Sequence, residues 1–165
     1  MRKRADARTW HDDLSNDVNQ VYADARDWSG LEAFYERALS DVLSEARYNR
    51  VSIRDIKPFE DGVAACLAKA REFLSGDTDV KAVYFEYFYD GAEWCKGDLY
   101  LPKAYEREKQ GWAAEWDHMI DGPNVHDYLN YDPEFEFERL SEYIAADYVH
   151  ACFLAACGRA WDQAG

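Results

Sequence analysis

No apolar stretch in this chain of 165 residues approaches the roughly 18 that a bilayer span requires. The longest candidate, Val149 to Ala156, is short and begins with Val-His. The N-terminal Met1-Arg2-Lys3-Arg4 is basic, but Asp6, His11, Asp12 and Asp13 follow where a secretory leader would carry an apolar core. The two absences lead to the expectation of a cytoplasmic protein, with no membrane partner and a basic tail over about residues 1–8. Cysteine is sparse and never in a Cys-x-x-Cys pair: Cys66, Cys95, Cys152 and Cys157. On a helix, Cys152 and Cys157 diverge by more than ~100° around the axis, which suits neither a disulfide nor zinc. Buried thiols in a reducing compartment are expected instead.

The local signatures of common chemistries are also missing. The chain has no Gly-x-Ser-x-Gly, no Walker loop, no Gly-x-Gly-x-x-Gly and no His-Glu-x-x-His. The expectation is a non-enzyme with no cofactor and no resident metal. Only four prolines and nine glycines occur, against 32% charged and 16% aromatic residues, which argues against disorder. The length suits one domain, residues 1–165, with a core that large rings can fill without staples.

Positive charge is the last shortage. Against 33 Asp+Glu stand 19 Lys+Arg, for a formal net charge of −14. From Trp112 to His150 there are ten acids and one base, Arg139, so this tract alone carries −9. Trp112, Trp116, Tyr128, Tyr131, Phe135, Phe137, Tyr143 and Tyr148 are interleaved with those acids. Such a field repels nucleic acid and anionic lipid and attracts a basic partner.

Periodicity predicts an α+β fold that is mostly helical. Trp10, Leu14, Val18, Val21, Tyr22, Ala25 and Trp28 form one helical stripe, ended by Ser29-Gly30. Leu31, Phe34, Tyr35, Ala38, Leu39, Val42, Leu43 and Ala46 form a second, and the short connection predicts an antiparallel pair. Lys57-Pro58 marks a boundary before a third helix, Phe59 to Leu74. From about residue 80 to 101 the pattern becomes a β-hairpin around Asp90-Gly91, to which 51–53 could add a strand. Its first strand puts Val83, Phe85, Tyr87 and Tyr89 on one face and Ala82, Tyr84, Glu86 and Phe88 on the other, suggesting cover on both sides. A short helix over Lys103–Gln110, a loop at Asp121-Gly122-Pro123-Asn124 and a long C-terminal helix from Pro133 or Glu134 to Trp161 complete the reading. The buried stripe of that last helix is expected through Leu140, Ile144, Tyr148 or Asp147, Ala151, Leu154, Ala155 and Gly158.

Two chemical candidates stand apart from the acidic tract's bulk charge. Glu86 lies mid-strand between aromatic residues, where it acts as an acid, points to solvent or pairs with Lys96 across the hairpin. His118 and His126 flank the Asp-Gly-Pro-Asn loop beside Asp117, Asp121 and Asp127. A small enzyme or metal-binding site would draw on Glu86, Asp98, His118 and His126.

The hairpin Val83-Tyr84-Phe85-Glu86-Tyr87-Phe88-Tyr89-Asp90-Gly91, its partner Gly97-Asp98-Leu99-Tyr100-Leu101-Pro102 and the acid-rich tract after Trp112 together resemble bacterial immunity proteins that neutralise polymorphic or contact-dependent toxins. The resemblance implies a cognate basic toxin as partner and inhibition by occluding a basic, nuclease-like active site. The face expected to bind comprises Trp112, Trp116, Asp117, Asp121, Asp127, Tyr131, Asp132, Glu134 and Glu136. Competing readings are a nucleic-acid mimic, the small enzyme above, and a homodimer joined through the aromatic hairpin. Reversing both Glu134 and Glu136 to Lys is expected to slow association with a verified basic partner strongly while the fold survives. Stopped-flow association rates, with circular dichroism as the folding control, check it; unchanged rates remove these two residues from the interface.

Overall fold

The computed structural model describes residues 15–42, 52–53, 55–76, 79–87, 97–105, 116–125, 129–130 and 140–164. The architecture is α+β and mostly helical. In order come α1 (Ser15–Ala25), α2 (Trp28–Val42), β1 (Ser52–Ile53), α3 (Lys57–Gly76), β2 (Tyr84–Tyr87), β3 (Gly97–Pro102), β4 (Trp116–Ile120), β5 (Leu129–Asn130) and α4 (Leu140–Ala164). The chain forms two compact units, Met1–Ile56 with Leu129–Arg159, and Lys57–Tyr128 with Ala160–Gly165. The basic tail, the hairpin turn with Lys96, most of the expected 103–110 helix and the start of the expected C-terminal helix lie outside the described residues.

In the first unit, Leu31, Tyr35, Ala151 and Ala155 are fully buried, and Val18, Tyr22, Trp28, Phe34, Tyr148 and Leu154 pack around them. Phe34 bridges two rings, 6.1 Å from Tyr22 and 5.2 Å from Tyr35, centroid to centroid. Gly158 leaves room for the Trp28 indole, which lies where a Cβ would stand. Arg159 grips Glu32 with both terminal nitrogens, at 3.0 and 3.1 Å. Asp147 is buried near Tyr35; burial first, and then that carboxylate, push the tyrosine hydroxyl above its ordinary pKa. Cys152 is a free, buried thiol pushed up to about 12 by burial and by nearby Glu32, so it is inert at neutral pH.

The first helix ends earlier than Ser29-Gly30 suggests. Arg26 adopts φ 52°, and Arg26 N–H and Asp27 N–H donate to the carbonyls of Ala23 and Tyr22, at 3.1 and 3.0 Å. This is a Schellman motif with arginine at the left-handed position that glycine favours. Asp27 then caps α2: its carboxylate accepts from Gly30 N–H at 3.0 Å, and its carbonyl accepts from Leu31 N–H. Trp28 therefore opens α2 and does not close α1. Val21 is 66% exposed, because it sits about 100° around the helix axis from Tyr22, which faces the core.

The helix α4 departs most from expectation. Ala145, Val149, Cys152, Phe153 and Ala156 are buried alongside the predicted Ile144, Asp147, Ala151 and Ala155. A helix buried on nearly every side has no polar face to set its phase, so the single-stripe reading missed Phe153. Residues 52–53 pair with Asn130 and Leu129, not with the hairpin.

In the second unit, Phe59, Glu60, Val63, Cys66, Leu67 and Ala70 form the buried line of α3. Pro58 sits in its first turn, where a missing N–H costs nothing. Glu60 is only 4% exposed, and two donors hold it, Lys57 Nζ at 2.9 Å and Gln163 Nε2 at 2.9 Å. The sheet has the order β2-β3-β4, antiparallel throughout. Its third strand is thus 116–120, which pairs antiparallel with β3.

Replacing Arg26 with Gly is expected to stabilise the protein by about 1 kcal/mol, since an L side chain is strained at positive φ. Urea unfolding checks this; no gain would mean that the arginine side chain offsets its own backbone cost.

Candidate partner-binding face

The register of β3 builds the site. Gly97, Leu99 and Leu101 are buried on one face of the sheet, with Asp98 and Tyr100 on the other. The buried face meets α3, with Phe59 6.3 Å from Phe85 and Phe73 stacked 5.0 Å from His118. On the opposite face, Tyr84 pairs with Tyr100, Glu86 with Asp98, and Tyr100 with Met119. Between Leu101 and Pro102 the register with β4 shifts, because Leu101 opposes His118 but Pro102 opposes Trp116. The bulge leaves Asp117 as the extra residue.

Three rings run across this face. Tyr84 and Tyr100 lie 6.2 Å apart, and Tyr100 and Trp116 lie 5.0 Å apart at 50°. Trp116 is 42% and Met119 44% exposed, while Tyr84, Glu86, Asp98 and Tyr100 are half-buried. Cover on both sides was the expectation for the first strand, and its described residues Ala82 to Glu86 are half-buried on both faces; Trp116 and Met119 belong to β4. The Tyr100 hydroxyl donates to Glu86, and burial, Asp98 and Glu86 all raise its pKa. Tyr84 is raised by burial and then by Glu86. Both phenols are thus protonated donors beside carboxylates.

The loop after β4 holds one carboxylate in place. Cys66 Sγ–H donates to the Asp121 carbonyl at 3.4 Å, Gly122 N–H donates to Asp98 Oδ1 at 3.3 Å, and Gly97 N–H donates to the Pro123 carbonyl at 2.9 Å. Gly122 is required there, because a Cβ would collide with the carbonyl of Gly97.

Of the residues expected to bind a partner, Trp116 is on this face, Asp121 is exposed just past β4, and Asp117 is at the bulge. Trp112, Asp127, Tyr131, Asp132, Glu134 and Glu136 lie outside the described residues, as does His126. Glu86 faces Asp98 in the register, the acid that the Lys96 pairing did not anticipate. His118 opposes Leu101 on the helix-covered face, so strand alternation separates it from Glu86 and Asp98. Among the described residues, no three His, Cys, Asp or Glu side chains group as a metal site would need. No described helix is long and apolar enough to cross a membrane.

Tyr84, Tyr100 and Met119 were not in the sequence-derived face. Strand alternation carried the signal for Tyr84 and Tyr100; no strand was expected over 116–120, and only the pairing joins Met119 and Trp116 to them. A second exposed apolar group, Leu74 with Trp161, borders a shallow groove with Leu67, Arg71 and Val83. No family model, curated protein or solved structure matches this chain.

Gly122→Ala is expected to cost at least about 2 kcal/mol by forcing the loop off β3 and releasing Asp98. Thermal unfolding combined with the amide chemical shift of residue 122 checks it. An unchanged melting temperature would show that the loop can relax without loss.

Proposed function

We propose that this chain is an acidic protein-binding domain that neutralises a basic partner by covering its functional cleft, in the manner of a toxin immunity protein acting in the cytoplasm. The observation that carries the reading is the Trp116 ring, exposed at the end of an aromatic row whose sheet face also bears Glu86 and Asp98. Exposed tryptophan flanked by tyrosine is the residue chemistry of binding hot spots. The net charge of −14 supplies long-range attraction to a basic surface, and the partner's desolvated contacts then set its residence time. A binding role uses these residues without a concave pocket or convergent acid–base pair. Homodimerisation would have to bring two such acidic faces together, which the same charge opposes.

Surface plasmon resonance against the purified product of the gene immediately upstream tests the reading. Association is expected to slow about tenfold or more between low and high ionic strength. Trp116→Ala is expected to speed dissociation at least about tenfold with little change in association. Absence of binding at low ionic strength would sink the proposal.

A further inference from the structure

We propose that the Tyr84–Tyr100–Trp116 face is the receptor for a single arginine side chain of the basic partner. Its guanidinium plane lies on the Tyr100 ring, its apolar stem runs against Trp116, and its N–H groups donate to Glu86 and Asp98. This assignment rests on the basic-partner reading and names the anchor within it.

The register carries the argument. Glu86 and Asp98 are direct partners across β2 and β3, and side chains so placed stand about 4.5–5.5 Å apart at Cβ. Two carboxylates at that spacing repel each other, and a cation between them removes the repulsion. Each is already held by one donor, Glu86 by the Tyr100 hydroxyl and Asp98 by Gly122 N–H. An ionised carboxylate has about four acceptor positions, so both retain capacity for a ligand. The donors they have are also what keeps them oriented before the partner arrives.

The rings select the kind of cation. Tyr100 contacts both Tyr84 and Trp116, so an aromatic surface continues from the acid pair to the exposed edge of the sheet. Guanidinium is planar, weakly hydrated and carries five N–H donors, so it can stack on a ring and bridge two carboxylates at once. An ammonium is a strongly hydrated point charge that forgoes the stacking. A hard divalent metal prefers six or more oxygen ligands and gains nothing from three rings. The face is open, with Trp116 and Met119 near half exposure, so it suits a side chain delivered by a protein surface.

The test compares acetylated tetra-arginine amide with the tetra-lysine peptide in amide-detected NMR titrations of the intact chain. Tetra-arginine is expected to shift residues 97–101 and 116–120 and the Trp116 indole N–H, with affinity at least about threefold above tetra-lysine. The double variant Glu86→Gln/Asp98→Asn keeps an acceptor for Gly122 and Tyr100 and is expected to weaken arginine binding at least about fivefold. Trp116→Leu, at an exposed position, provides a second variant with the same expected direction. Shifts confined to other residues, equal binding by the two peptides, or full affinity in both variants would overturn the assignment. Calcium chloride shifting the same residues as strongly as the arginine peptide would overturn it in favour of a metal. With the purified partner, wild-type binding that both variants retain rejects the arginine anchor and leaves the proposed function standing. A partner that fails to bind the wild type rejects the function, while the peptide titration still decides the anchor.

Discussion

Strand β3 has neighbours on both edges, and its alternation governs the second unit. Burying Leu99 and Leu101 against α3 is worth about 1.5–3 kcal/mol per side chain. A slip of one residue would move both to the open face and bring Asp98 and Tyr100 under the helix. Antiparallel pairing then passes the same inside and outside assignment to Phe85 and Tyr84 on β2, and to Ile120 and Met119 on β4. The meeting of Glu86 with Asp98 follows from this constraint. A like-charge pair across strands costs no more than about 1 kcal/mol, which the buried leucines outweigh.

The protein treats its acids in two ways. Inside, the buried carboxylates hold structure together. Glu60 joins Lys57 to Gln163 within the second unit, and Asp147 lies beside Tyr35 within the first. Removing Lys57 or Gln163 would leave the Glu60 carboxylate short of a donor in a poor solvent. At the sheet face the carboxylates remain partly hydrated, each steadied by one hydrogen bond. Only the second kind can exchange water for a partner at low cost.

The proposed binding role joins the two scales of this electrostatics. The excess negative charge acts over about a Debye length and raises the rate of encounter with basic surfaces without specifying geometry. Geometry comes from the ring row, since Tyr84, Tyr100 and Trp116 are held by strand pairing and the loop Asp121-Gly122-Pro123 is pinned to β3. A side chain docking there meets groups already in position, which lowers the ordering cost of association.

Much of the fold was legible because its signals are local. The 3.6-residue spacing of Leu31, Tyr35 and Leu39, the Lys57-Pro58 boundary of α3 and the two-residue alternation of Tyr84–Tyr87 and Gly97–Leu101 depend only on near neighbours in the chain. Composition likewise determined the sign of the field. Tertiary structure decided what local signals leave degenerate. Trp116 is separated by some fourteen residues from the strand it joins, and β1 pairs with a segment more than seventy residues away, so neither pairing is written in a short window. The expected stripe of α4 found Ile144, Asp147, Ala151 and Ala155, but how far around the axis the core reaches was hidden, because the helix has little polar contrast between its faces. The candidate site belongs to this second class: every one of its residues was visible in the sequence, but side chains from three strands share one surface only after the backbone hydrogen bonds choose a register.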